Sequence, residues 1–231
     1  MNSAPLRLLV LGLGKTGMLV AEVARERRHL VQSIDADVNQ NAAWLTPENL
    51  RNIDVAIDFT APDAVLANIE ACLRAHKAMV VGTTGWYGEL DRVRQAVEQS
   101  GTGFVFGANF SYGVNLFFQI AQAAAPALAH NYRGHITERH HIHKKDAPSG
   151  TAAALQQLLE QASGKRVEIT SEREGDVPGI HTLELVSSGD RIVLTHEVKS
   201  RRTFAEGAVL AAEWIAGRTG FYDFKDIFVR L

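Results

Sequence analysis

The sequence predicts an α/β protein, a doubly wound parallel sheet joined to a second, α+β region. Three observations predict it. Short apolar runs alternate with helix-like segments through the first half of the chain, a Gly-x-Gly-x-x-Gly stretch follows the first of those runs, and beyond residue 130 the pattern changes to alternation with a period of two. At 231 residues, 46% hydrophobic and 22% charged, the chain can bury a full core in one large domain or two small ones.

The first apolar run, residues 6–11, has the length and composition of a strand buried on both faces of a sheet. Gly12, Leu13, Gly14, Lys15, Thr16 and Gly17 follow at once, and then Met18, Leu19, Ala21, Val23 and Ala24 mark a helix that becomes charged toward Arg28. Strand, glycine turn and helix in that order form the context of a Rossmann-type dinucleotide fingerprint. Gly12 permits the tight turn, Gly14 lets the backbone approach a pyrophosphate, and Gly17 lets helix and strand pack closely. A second strand, residues 30–34, ends in Asp35, where an acidic side chain can accept hydrogen bonds from a ribose.

The alternation continues. Residues 55–60 read as a strand and 61–75 as a helix. Residues 79–81 are a strand running into Gly82, Thr83, Thr84 and Gly85; 89–99 are a helix; and 103–106 are a strand running into Gly107, Ala108, Asn109 and Phe110. In a doubly wound sheet these loops share the carboxyl edge, where ligands bind.

Residues 111–129 read as a sparsely charged helix. The alternation over residues 134–143 then places Ile136, Glu138, His140 and Ile142 on one strand face and Thr137, Arg139, His141 and His143 on the other. After Pro148 the period becomes helical over 152–162, with Ser149 or Thr151 as N-cap and Gly150 leaving backbone amides accessible. Histidines that titrate near neutrality, lysines and a helix N-terminus together suit an anionic substrate that must receive a proton. A metal held by His141 and His143 with Asp146 or Glu138 is disfavoured, because Lys144 and Lys145 repel a cation; a solvated basic strand is the bland alternative.

A net charge of −2 gives no reason to expect a polyanion-binding surface, so nucleic acid is not an expected partner. Cys72 is the single cysteine, which excludes an intrachain disulfide and points to a reducing compartment. The run over residues 6–13 is too short to span a membrane and lacks a cleavage pattern, so a cytoplasmic protein without a membrane partner is expected.

The stretch Glu138, His140, His141, Lys144, Asp146, Pro148, Ser149, Gly150, Thr151 resembles the signature of the 4-hydroxy-tetrahydrodipicolinate (dihydrodipicolinate) reductases of diaminopimelate and lysine biosynthesis, and every fixed position of that signature is present. The resemblance extends to Asp58-Phe59-Thr60, Gly82-Thr83-Thr84-Gly85, Asn109-Phe110-Ser111 and residues 200–208. It implies His140 as general acid and Lys144 as a second proton-donating or anion-stabilising group. His141, Gly150 and Thr151 would hold the carboxylates of the substrate. Gly12, Gly14, Lys15, Thr16, Gly17, Asp35, Gly82, Thr83, Thr84, Gly107, Ala108, Asn109 and Phe110 would bind the nicotinamide cofactor. It also implies that residues 1–110 and 201–231 form the dinucleotide-binding domain and 111–200 a substrate-binding and oligomerisation domain, with a helix over 204–215 and an apolar tail over 221–229.

The chain departs from the family pattern in three places. The glycine loop is one residue shorter than usual, the segment between Asp35 and Ile53 is short, and Val177-Pro178-Gly179 runs directly into Ile180-His181-Thr182, where the family has a longer stretch of sheet. A hairpin of residues 181–186 and 192–198 remains. Since that sheet builds the family's homotetramer, a tetramer is expected here with a dimer as the alternative. No metal is expected. Asp35-Ala36-Asp37 replaces the family's acidic-basic pair, so NADH is expected to be preferred over NADPH.

Overall fold

The computed structural model describes residues 4–231. In chain order the first elements are β1 (Arg7–Leu11), α1 (Lys15–Glu26), β2 (Leu30–Ile34), α2 (Pro47–Leu50), β3 (Val55–Asp58), α3 (Val65–Arg74), β4 (Ala78–Val81), α4 (Leu90–Ser100) and β5 (Gly103–Phe106). There follow α5 (Tyr112–Ala124), β6 (Arg133–His140), α6 (Gly150–Ser163), β7 (Glu168–Arg173), β8 (Ile180–Val186) and β9 (Arg191–Glu197). The chain closes with α7 (Arg202–Ile215), β10 (Gly220–Asp223) and α8 (Phe224–Ile227). Two compact units result: the chain up to Tyr112 together with Arg202–Leu231, and Gly113–Arg201.

The first unit is a Rossmann-type layer structure. Its six strands run parallel in the order β10-β5-β4-β3-β1-β2. Successive residues of one strand point to opposite faces, so Leu8 and Val10 enter the layer with α1 and α7, while Leu9 and Leu11 enter the layer with α3 and α4. Burial on both faces is why β1, β3, β4 and β5 read as largely continuous apolar runs rather than alternating ones. The glycine turn is sterically forced. Gly12 has φ +85°, and a Cβ on Gly17 would lie 1.8 Å from the Gly12 carbonyl oxygen. Only glycine at both positions lets α1 start so close to the end of β1.

The second unit is a four-stranded mixed sheet, β7-β6-β8-β9, in which β6 and β7 run parallel and the other pairs antiparallel. Ile136, Leu183 and Leu185 on one face meet Leu155 and Leu159 of α6 and Phe117 of α5 in a separate core. Across that face the register sets Ile169, Ile136, Leu183 and Leu194 in one row, and Ser171, Glu138, His181 and His196 in the next row of the same face. The apolar floor thus becomes polar one step along the strands.

Several sequence expectations are corrected here. The strand expected over 134–143 stops at His140, because the chain turns before Ile142, which is 61% exposed. The helix expected over 111–129 is α5 followed by a 3₁₀ turn over Ala125–Ala129, where Pro126 interrupts the α-helical pattern. The helix expected from residue 61 begins at Val65, and the apolar tail is β10, which pairs with β5, followed by α8. Strand β7 has no counterpart in the expected pattern. Among the described residues, no helix is long and apolar enough to cross a membrane.

Candidate active site

In the first unit the carboxyl ends of β1, β3 and β4 carry the glycine turn, Thr60 and residues 82–84. A cavity of about 610 Å³ there is lined by Gly12, Gly14, Asp35, Asn39, Thr60 and Asn68. A second, of about 280 Å³, is lined by Lys15, Thr16, Thr60, Gly82, Thr83 and Thr84. Gly14 belongs to both and caps α1 with no side-chain hydrogen bond, so the first amides of this helix have no capping side chain. A Cβ on Gly14 would meet nothing within 4 Å, so this glycine opens onto free space. An uncapped helix N-terminus facing an open glycine cradle is the donor arrangement that a pyrophosphate needs.

Asp35 stands at the end of β2, and its Oδ1 accepts the Leu13 amide at 3.1 Å. This bond and one from the Ala36 amide hold its carboxyl below the usual range. Beneath the cavities lies Asp58, fully buried. Its Oδ1 accepts from the Thr83 hydroxyl (2.6 Å), the Thr60 hydroxyl (2.8 Å) and the Thr60 amide (3.0 Å), and its Oδ2 from Asn68 (2.8 Å). Burial pushes this carboxyl up despite those donors. Residues 107–110 line neither of these cavities. Gly107 packs against Phe224, Ala108 is exposed, Asn109 accepts the Ser111 amide at 2.9 Å, and Phe110 is a core residue with its ring 4.6 Å from that of Phe224. The structure therefore gathers Gly12, Gly14, Lys15, Thr16, Asp35 and residues 82–84 around two adjoining cavities, with Gly17 buried behind them in α1.

In the second unit the polar row of the sheet carries the chemistry. The Glu138 side chain is wholly buried. Its Oε2 accepts a short hydrogen bond from Nδ1 of His140, and its Oε1 accepts from Arg173 (3.0 Å) and from the Ser149 amide (3.3 Å). Burial alone would raise this carboxyl, but hydrogen bonds from Ser171, His140 and Arg173 together hold it below its ordinary value. His140 is lowered by burial, against which the Glu138 carboxylate acts. His181 sits beside it with ring centroids 5.1 Å apart. Burial, aided by the His140 charge, pushes His181 down to about 4, so it is neutral near pH 7. Ser149 caps α6 by accepting the Ala152 amide, which leaves its hydroxyl proton for Nε2 of His181 at 3.1 Å. That settles the N-cap: Ser149, not Thr151.

The other predicted residues lie in the turn and helix that follow. His141 is half-buried with its Nδ1 unpartnered, and Lys144 pairs with Asp146 at 2.8 Å. Gly150 and Thr151 form the first turn of the 14-residue α6, and a Cβ on Gly150 would meet nothing within 4 Å. His143 and Lys145 are exposed. Sequence reasoning placed Glu138 on the right face but gave it no role beyond the disfavoured metal set, and it missed Arg173 and His181, which come from β7 and β8.

Glu138, His140 and His181 do bring donor atoms within 4.8 Å of one another. In the structure these side chains are joined to their neighbours by hydrogen bonds. Both carboxylate oxygens are already taken by protonated donors, and the cations Arg173 and Lys144 lower the His140 basicity further. The set weighed from the sequence, His141 and His143 with Asp146 or Glu138, is not the one brought together.

Residues 6–110 match the family "Dihydrodipicolinate reductase, N-terminus" and residues 113–228 match "Dihydrodipicolinate reductase, C-terminus". A 4-hydroxy-tetrahydrodipicolinate reductase of Christiangramia forsetii is 38% identical, covering 96% of this chain and 97% of its own. One of Thiobacillus denitrificans is 41% identical over 77% of this chain and 74% of its own. A dipicolinate-bound dihydrodipicolinate reductase from Paenisporosarcina shares the fold, with a TM-score of 0.80 at 22% identity over 97% of this chain and 100% of that one. Both halves of the sequence being matched, and one relative at 38% identity extending over 96% of it, the chain belongs to the dihydrodipicolinate reductase family.

Proposed function

We propose that this enzyme reduces 4-hydroxy-tetrahydrodipicolinate to tetrahydrodipicolinate, in diaminopimelate and lysine biosynthesis. The observation that carries the reading is a buried, carboxylate-bound imidazole, His140, in the same motif as Lys144 and the N-terminus of α6. Loss of the substrate hydroxyl as water leaves a conjugated cyclic imine, and net reduction adds a hydride and a proton. The nicotinamide cofactor, when bound, supplies the hydride. Addition leaves an electron pair that must be protonated at carbon, and His140 gives that proton from Nε2, as a general acid worth about 10²- to 10⁴-fold. Lys144, released from Asp146, stabilises the developing anion. His141, Gly150 and Thr151 hold the carboxylates, the latter two through the first turn of α6.

In the first unit, Gly12, Gly14, Lys15, Thr16 and Gly17 would cradle the pyrophosphate, and residues 82–84 and 107–110 would complete the cofactor site. Asp35 takes the adenosine ribose. Its charge repels the extra phosphate of NADPH, and Ala36 offers no guanidinium in compensation, so NADH is the preferred cofactor. The enzyme works in the cytoplasm as a homo-oligomer. The uncovered face of the second sheet, with Val186 and Val193 exposed, is the surface for that assembly.

The test couples aspartate semialdehyde and pyruvate through the preceding synthase and follows oxidation of each reduced cofactor. We expect substrate-dependent oxidation and kcat/KM about tenfold higher with NADH, or about 1.4 kcal/mol. No substrate-dependent oxidation would overturn the activity. Equal ratios, or an NADPH preference that Asp35→Ala leaves unchanged, would overturn the role of Asp35.

A further inference from the structure

We propose that Glu138 is the positioning residue of the proton donor: it fixes the tautomer of His140, keeps Nε2 as the titrating nitrogen, and holds the ring protonatable in a buried site. The inference rests on the reading of His140 as the general acid.

A fully buried carboxylate is costly unless its oxygens are filled, and those of Glu138 are filled in a directed way. Arg173 from β7 and the Ser149 amide take one oxygen, which ties the carboxylate to the sheet and to the start of α6. The other oxygen accepts from Nδ1 of His140, and the Ser171 side chain gives the carboxylate a further hydrogen bond. A carboxylate can only accept, so Nδ1 carries a proton in both charge states of the ring. The exchangeable proton is therefore on Nε2. That nitrogen points at Gly179, where a Cβ would come within 3.0 Å, so the missing side chain leaves it room.

The charges around the ring show why an acid needs this partner. Lys144 from the following turn, Arg173 from β7 and His181 from β8 face His140, with His196 of β9 paired across from His181. Burial and the two cations disfavour the imidazolium, and His181 stays neutral. Glu138 is the one negative group named in this set. Remove its charge and the acid form of His140 is lost at a lower pH.

The experiment is the pH profile of kcat/KM for Glu138→Gln and Glu138→Asp beside the wild type, with cofactor affinity measured separately. The acid form is active below the His140 pKa and lost above it, and the carboxylate raises that pKa. Glu138→Gln should therefore lower kcat about tenfold or more and move the alkaline limb to lower pH by about a unit, with cofactor affinity unchanged. Glu138→Asp keeps the charge and should bring the limb back toward the wild-type position while kcat stays reduced. A lower kcat and a lower melting temperature with an unmoved limb would mean that Glu138 only braces the fold, and would overturn the inference. Imidazole ¹⁵N spectra of the wild-type protein provide a reading that no variant can spoil by misfolding. Nδ1 of His140 should stay protonated while Nε2 titrates, and the opposite tautomer would overturn the inference. His140→Gln separates the two layers: full turnover in that variant would sink the general-acid reading itself.

Discussion

Gly179 is the residue on which His140 leans. It has φ +155° and stands where a Cβ would meet Nε2 of His140 at 3.0 Å, so an alanine there is strained in the backbone and pushes on the donor nitrogen at once. Gly179→Ala should lower kcat about tenfold, the scale expected when a supporting group misplaces a catalytic one, while cofactor affinity in the other unit stays as it was. Steady-state rates and a cofactor titration check both halves of that statement. His140 itself was legible in the sequence, because a period of two puts it on the face of Ile136 and Glu138, and that is the buried face. Its neighbours were not. His181 reaches the site because β8 pairs Glu138 with His181, and Arg173 because β7 pairs it with His140. Register between strands far apart in sequence leaves no local signature. The only hint was the abrupt join of Val177-Pro178-Gly179 to Ile180-His181, which read as a missing piece of sheet rather than as a contact.

Elements show the same division between local and non-local information. Strands β1, β3, β4 and β5 were legible because double-sided burial makes them largely apolar, and glycine turns mark where β1, β4 and β5 end. Strand β7 was not, since it lies at a sheet edge, pairs only with β6, and has Ile169 as its sole large apolar residue. The Asp58 network is likewise a product of assembly. From Asp58 the hydrogen bonds run through Asn68 to Asn39 at 2.8 Å and on to the Trp44 amide at 3.2 Å, linking β3, α3 and the segment after β2. The chain has a direction: a carboxylate at its head can only accept, so Asn68 and Asn39 must each turn an amide NH₂ toward it. In Asp58→Asn, the new NH₂ faces either the Thr60 amide or the NH₂ of Asn68, and relieving the second clash by flipping both asparagines deprives the Trp44 amide of its acceptor. One buried group stays unsatisfied either way, so the variant should lose about 1–3 kcal/mol, read as a lower urea midpoint at unchanged slope. Cofactor affinity should weaken too, since Asn39, Thr60 and Asn68 line the larger cavity.

At the scale of the whole molecule, the first unit is built from two distant pieces of chain. Helix α7 packs against α1 and the central strands, and β10 completes the sheet beside β5. Nearly half of the buried residues of one layer of that unit, from Ala205 to Phe228, come from the returning segment. A chain stopped after Arg201 should therefore fail to bind NADH, although every residue assigned to the cofactor lies before Tyr112; retained affinity in a fluorescence titration would contradict this. The return also bears on how the protein is made. A ribosome delivers residues in order, and the nucleotide unit lacks α7 from one of its helix layers and β10 from its sheet until Arg202–Asp223 have emerged. The mixed sheet of Gly113–Arg201, by contrast, has all its strands and its own core well before synthesis ends. The unit encoded in the middle can thus finish folding first, while the half-built sheet waits with its apolar face open, making the nascent nucleotide unit the part of the molecule that most needs shelter from aggregation during synthesis.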